Sequence, residues 1–195
     1  NSGRLIFDSG PIELPDKSIE LFAIVDDFGP NQDDHVNIIR TLSAAQTIIV
    51  DESQTARARI ANFSQFETVS ASLNQVQFDE VSQLSLSDYS DIANGNADLI
   101  VKDTDIVLEQ SSQPGFDGNF KTVYIFSNEN DEGNQGTKSL GITDDKRSVV
   151  DRAIFNFANG SNETIDLYAV EPGDGIDDQR PLLNDFGFGA SGTLE

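Results

Sequence analysis

DRAIFNFANGSNETIDLYA, residues 151–169, repeats most of the pattern of RARIANFSQFETVSASLN, residues 57–74. Ile60-Ala61-Asn62-Phe63 aligns with Ile154-Phe155-Asn156-Phe157 at an offset of 94, and Glu67-Thr68-Val69 with Glu163-Thr164-Ile165 at 96. Leu5-Ile6 aligns with Leu99-Ile100 and Ile12-Glu13-Leu14 with Ile106-Val107-Leu108, again at 94. Ala23-Ile24-Val25 aligns with Tyr124-Ile125-Phe126 at 101, and Asn31-Gln32 with Asn134-Gln135 at 103. The gaps between these blocks fall in turn-rich segments, where insertions are tolerated. A self-similarity of this period suits one sandwich domain per repeat.

The segments themselves read as strands. RLIF (4–7), IEL (12–14), SIELFAIV (18–25), VNIIRTL (36–42), TIIV (47–50), ARARIANF (56–63), VSASL (69–73) and QVQF (75–78) are short β-rich runs. So are ADLIV (97–101), DIVL (105–108), KTVYIF (121–126), RAIFNF (152–157) and TIDLYAV (164–170). Arg57, Arg59 and Ala61 alternate with Ala58, Ile60 and Asn62, the period of a half-buried strand. The turns are DDFGPNQDD (26–34), NGN (94–96), PGFDGN (114–119), NENDEGNQG (128–136), ANGSN (158–162) and EPGDGIDD (171–178). Only TLSAAQT (41–47) and residues 79–92 offer a helical alternative. The expected fold class is all-β, as two immunoglobulin-like β-sandwich modules related by an internal repeat.

Two charged linkers, DESQTAR (51–57) and TDDKRSVVD (143–151), set the boundaries. They leave an intact β-sandwich repeat at 53–147, and a second sandwich completed by the two flanks, 1–50 plus 150–195. The alternative cut gives 1–97 and 98–195, each a permuted domain.

These blocks resemble a family of secreted bacterial repeats known only as a domain of unknown function. Its members open with R-V-x-N-A, continue with V-D-V-Y and then F-G-x-x-S with a Tyr soon after, and later carry an apolar strand following a Gly-rich turn. The matching residues are Arg59-Ile60-Ala61-Asn62, Val69-Ser70-Ala71-Ser72, Phe78-Asp79-Glu80-Val81-Ser82 with Tyr89, and Lys121-Thr122-Val123-Tyr124. The later copy has Ala153-Ile154-Phe155-Asn156, Ile165-Asp166-Leu167-Tyr168 and Phe188-Gly189-Ala190-Ser191. The resemblance implies immunoglobulin-like sandwiches on an exported or surface protein. It implies no activity and no functional residues.

Composition narrows the function classes. Thirty-four acidic against twelve basic residues give a net charge of −22, which disfavours nucleic acid and anionic lipid as partners. Thirteen Phe with many Val and Ile supply a core, and 195 residues suffice for one or two domains. The chain has no Cys, so disulfides, thiol nucleophiles and thiolate metal sites are excluded. It has no Met, as expected of a processed chain or a fragment, and no apolar run near the ~18 residues of a membrane span.

One His, His35, nearly excludes a multi-His metal site or a His-based triad, and its place after Asp33-Asp34 reads as a surface His beside acids. No phosphate-binding or nucleophile-elbow motif occurs, and GFGASG (187–192) reads as a strand edge or bulge. The acidic turns suit the oxygen chemistry of Ca2+: Asp26, Asp27, Asp33 and Asp34 with Asn31, and Asn128, Asn130 and Glu132 with Glu129 and Asp131. Asp174, Asp177 and Asp178 form a third cluster. Ordinary polar turns explain the same residues equally well. NENDEGNQGTKS opens like a calcium-binding loop, but Ser139 stands where the closing Glu belongs. Asn62, Asn159 and Asn162 begin N-x-S/T sequons, and Phe28, Phe116 and Phe120 sit near loops as contact or packing residues.

The expected role is a non-enzymatic module, outside the cell, at its surface or in the periplasm, that meets a protein or glycan surface through its loops. It would be a monomer or weak oligomer, with Ca2+ as the possible cofactor. A carbohydrate-active enzyme or accessory domain using a carboxylate pair, and a structural segment of a longer repeat array, are the alternatives.

Overall fold

The computed structural model describes residues 7–14, 16, 19–26, 36–42, 45–49, 51, 55–129, 135–144, 155–177 and 179–194. All regular structure among them is β. Strands β1 (Glu20–Asp26), β2 (Val36–Leu42) and β3 (Ala45–Ile49) form one antiparallel sheet in the order β1-β2-β3. The central region contains β4 (Ala56–Phe63), β5 (Thr68–Leu73), β6 (Val76–Ser82), β7 (Ser85–Leu86), β8 (Ser90–Ile92) and β9 (Gly95–Asp103). It continues with β10 (Ile106–Phe116), β11 (Phe120–Glu129) and β12 (Gln135–Thr143). The C-terminal segment adds β13 (Phe155–Ala158), β14 (Ile165–Leu167), β15 (Leu183–Phe186) and β16 (Ser191–Leu194). There β13 pairs with β16 and β14 with β15.

The central region is a two-layer sandwich. One sheet has the order β10-β9-β5-β6, the other β12-β11-β4-β7 with β8 also on β4. The pleat sends alternate residues inward. Ala56, Ala58 and Ile60 of β4, with Val123 and Ile125 of β11, meet Val69, Ala71, Leu73, Phe78, Val81, Leu99 and Val101 of the opposite sheet in one cluster. Phe116 is fully buried in it, and such burial contributes about 1.5–3 kcal/mol. Every residue of this cluster lies between Ala56 and Ile125.

Three turn residues set the hairpins. Asn74 (φ 54°), Leu84 (φ 57°) and Thr104 (φ 54°) adopt left-handed backbone conformations, which Asn accepts more readily than Leu or Thr. Pro114-Gly115 reads as a turn in the sequence, but β10 runs through it to Phe116. The ladder with β9 slips between Gln113 and Phe116, and Gly115 (φ 73°) takes up the irregularity. A bulge rather than a turn therefore accounts for these two residues. Residues 12–14, expected as a strand, are described without one, and of residues 41–47 and 79–92 the described ones form strands and turns, not helix. In the first of these, Thr41 lies opposite Gln46 and Leu42 opposite Ala45 on the β2–β3 ladder.

Strand β4 pairs in parallel with β11, Tyr124 opposite Ala61. Arg57 lies opposite Phe120, and Lys121 opposite Thr143. The chain thus enters on β4 and leaves from β12 at the same end of the sandwich, with β11 between them.

Some irregularities occur twice. On β5–β6, Val69 faces Val81 and Ala71 faces Phe78, so β6 carries one extra residue, with Glu80 at φ 52°. On β14–β15, Ile165 faces Phe186 and Leu167 faces Leu183, with Asp185 at φ 53°. The β1–β2 ladder places Ala23 opposite Ile39 and Ile24 opposite Ile38. The β11–β12 ladder places Tyr124 opposite Leu140 and Ile125 opposite Ser139, the same register 101 residues on.

Candidate functional site

Asn62 ends the inward row of β4 and is fully buried. Its Nδ2 donates to the carbonyls of Phe66 (3.2 Å) and Val81 (3.0 Å). Its Oδ1 accepts from Ser64 N (3.1 Å) and Ser64 Oγ (2.7 Å), and Ser64 Oγ accepts from Phe66 N (3.3 Å). Its carbonyl accepts from Leu84 N (2.7 Å). Asn159, 1% exposed, is held in the same way. Its Nδ2 donates to Glu163 O (2.8 Å) and Phe186 O (2.7 Å), and Oδ1 accepts from Ser161 N (2.8 Å). Ser161 Oγ accepts from Glu163 N (3.1 Å), and Gly189 N donates to the Asn159 carbonyl (2.8 Å). An N-x-S triplet makes both arrangements, because a short amide and a hydroxyl two residues on can each cap a backbone N–H of a tight turn. Two of the three sequons are thus buried turn anchors; Asn162 of the third is exposed. Asn159, not Asn156, makes the bonds that Asn62 makes.

The outer face of the β12-β11-β4 sheet carries the main polar network. Asp144 Oδ2 accepts from Tyr89 Oη (2.7 Å) and from Thr122 Oγ1 (2.6 Å). Arg59 Nε donates to Thr122 Oγ1 (2.9 Å), its guanidinium lies 4.6 Å from the centre of the Tyr89 ring, and Nη2 is 4.0 Å from Asp144 Oδ2. Tyr89 is also edge-on to Phe120. Burial, then the hydrogen bond and charge of Asp144, push the Tyr89 phenol up to about 12. Burial and the Asp144 charge raise Tyr124 as well. This network ties the β7–β8 connection to β4, β11 and the end of β12, with two hydroxyls donating to one carboxylate oxygen of Asp144.

Further along the same face, Tyr124 and Phe126 stack nearly parallel (8°), with Phe63 5.9 Å from Tyr124. Phe63, Tyr124, Phe126, Ile142, Asn156 and Ala158 line a cleft of about 160 Å³. Strand β13 thereby lies against the central sandwich. Gly160 permits this approach, since a Cβ there would overlap the Phe126 ring. Phe188 adds an edge-on contact to Phe126 (6.2 Å), and Lys138 lies over Phe188.

A second polar cluster closes the edge between β10 and β12. Glu109 Oε1 accepts from Ser111 Oγ (2.8 Å), Ser139 N (3.1 Å) and Ser139 Oγ (2.5 Å). Gln113 Nε2 donates to Ser139 Oγ (2.8 Å). Lys121 donates to the Pro114 carbonyl and sits over Phe116 (4.7 Å); burial lowers its pKa.

The acidic turns both cap hairpins. Asp26 ends β1 opposite Val36, and Asn128 lies opposite Gly136. Asp27, Asp33, Asp34, Asn130 and Glu132 lie outside the described residues, as do His35, Phe28, Asp178 and the side chains of Asp26 and Asn128. Asp174 and Asp177 are exposed on a turn. Among the described residues, no three His, Asp or Glu side chains gather as a metal site and no helix is long and apolar enough to cross a membrane. Phe116, read from the sequence as a loop residue, is core, and Phe120 packs on Tyr89. Arg59, Tyr89 and Thr122 lie in sequence blocks singled out above and Asp144 in the linker at 143–151, but no local signal joins them into one network, since they come from four separate segments.

The chain matches no family model and no curated protein sequence.

Proposed function

We propose that the chain is a non-enzymatic, exported or cell-surface protein of two immunoglobulin-like sandwich modules, serving as an adhesive, ligand-binding or spacer unit. The intact module is 53–147, and the flanks 1–50 and 150–195 make the second. The observation that carries the reading is the matched pair of asparagine anchors, Asn62 and Asn159, each with the same five bonds. Recurrence of the β5–β6 bulge on β14–β15, and of the β1–β2 register on β11–β12, supports it further. Modular repetition suits spacing and multivalent contact, and the net charge of −22 keeps such a surface solvated. The resemblance to secreted bacterial repeats points the same way.

A glycan-binding accessory role is the second reading, favoured by the aromatic row Phe63, Tyr124 and Phe126 beside Asn156. A polysaccharide panel tests both. Retention without turnover, lost in Tyr124→Ala, establishes the accessory role; turnover abolished by one Asp or Glu substitution overturns the non-enzymatic reading.

A further inference from the structure

In the central sandwich the order β12-β11-β4-β7 depends on one parallel seam, β11 with β4. Each side of that seam has a counterpart. The β1–β2 ladder has the register of β11–β12 at an offset of 101. Strand β13 is followed directly by Asn159, which is held as Asn62 is near the end of β4, and β13 pairs antiparallel with β16 as β4 does with β7. Yet β1 and β13 fall in different sheets, and each pairs with a single described strand. The half-sheets also present apolar side chains on the faces that a completed sandwich would cover: Phe22 is 42% exposed, Ile24 72% and Phe155 57%.

We infer that β1 and β13 of the same chain are the two sides of a second parallel seam, giving the order β2-β1-β13-β16. This rests on the modular reading above. The register follows by transfer. Tyr124 opposite Ala61 becomes Ala23 opposite Ala158, Val123 opposite Ile60 becomes Phe22 opposite Phe157, and Ile125 opposite Asn62 becomes Ile24 opposite Asn159. The occupant is the chain's own β1, because the central sandwich begins and ends at one end. Ala56 and Thr143 lie on β4 and β12, two strand spacings apart, about 10 Å. Seven peptide steps from Ile49 to Ala56 reach up to about 25 Å, and twelve from Thr143 to Phe155 about 43 Å. In the proposed order Ile49 and Phe155 lie three strands apart, about 14 Å sideways, so both linkers reach. The central module is then an insertion in the second, which the neighbouring ends of an inserted domain permit.

The chain lacks Cys, so a cysteine pair reports this seam without background. Facing residues of adjacent strands lie about 5 Å apart, within disulfide range. The full-length Ala23→Cys/Ala158→Cys variant, oxidised at low concentration, is expected to close an intramolecular disulfide in most molecules. Intact mass shows the loss of two hydrogens, and non-reducing electrophoresis shows a faster monomer. The off-register Ala23→Cys/Phe157→Cys pair is expected to close at least tenfold more slowly. No disulfide in the first pair, equal rates in both, or disulfides only between copies overturns the seam. Amide exchange on the unsubstituted protein checks the same point: alternate N–H groups of β1 and β13 already face β2 and β16, so the seam is expected to slow exchange at consecutive residues of both strands, and fast exchange at every second residue of either strand also overturns it. Failure of the seam while Asn62→Ala and Asn159→Ala behave alike leaves the modular reading standing, so the two fail separately.

Discussion

Asn62 and Asn159 lie 97 residues apart and make the same hydrogen bonds, each amide reaching one carbonyl four residues on and another across to the next hairpin. Both are buried, so neither amide can be replaced by water. Asn62→Ala strands the buried carbonyl of Val81, the part-buried carbonyl of Phe66 and the N–H of Ser64, and is expected to cost about 2–4 kcal/mol. Asn159→Ala is expected to cost a similar amount, confined to the C-terminal unit. Denaturant unfolding of each variant, with exchange mapping of the affected strands, checks the pairing of effects.

Gly160 and Phe126 form a separate point of sensitivity. Gly160→Ala forces a methyl group into the Phe126 ring, and overpacking of this kind costs about 1–3 kcal/mol. The loss is expected in the docking of β13 on the central sandwich rather than in the sandwich core. Phe126→Ala removes the clash, so a double-mutant cycle should show strong non-additivity. Limited proteolysis between 144 and 155 reads the docking directly.

Stability at alkaline pH should follow Tyr89. Its phenol rises from 10.0 to about 12 in the fold, so the folded state holds the proton more tightly than the unfolded chain. The stabilisation is complete below pH 10 and disappears as pH rises through about 12. Tyr89→Phe is expected to remove the late step from the phenolate absorbance titration. Asp144→Asn, which removes the charge opposing ionisation, should move that step to lower pH.

The charge of −22 makes salt a stabiliser through screening of self-repulsion. Melting temperature is expected to rise with NaCl, and Ca2+ and Mg2+ are expected to act equally at matched ionic strength. A rise specific to Ca2+ would instead locate a cation site at the hairpin tips that follow Asp26 and Asn128.

Much of the fold was legible in local pattern. Alternation in Arg57–Asn62 placed Ala58, Ile60 and Asn62 on one face, and that face is the buried one. The offset of 101 between Ala23-Ile24-Val25 and Tyr124-Ile125-Phe126 reappears as a shared hairpin register. Alignment of Val69 with Ile165 at 96 likewise matches the two bulges, each of which begins at those residues. The pairing of Asn62 with Asn156 was a different matter. Two similar F-N and A-N strings compete there, and only the carbonyls that the amide reaches distinguish Asn159 from Asn156.

The sequence by itself determined that the regular structure of the described residues is β, roughly where many of the strands run, and which strand faces are apolar. Those properties depend on residues within one or two positions of each other, through pleat alternation and turn backbone preference. Only the tertiary structure decided that β4 runs parallel to β11, that Pro114-Gly115 is a bulge, and that Arg59, Tyr89, Thr122 and Asp144 meet. Each of these joins segments tens of residues apart, and no local preference records which distant donor will find which acceptor once two sheets close over a shared core.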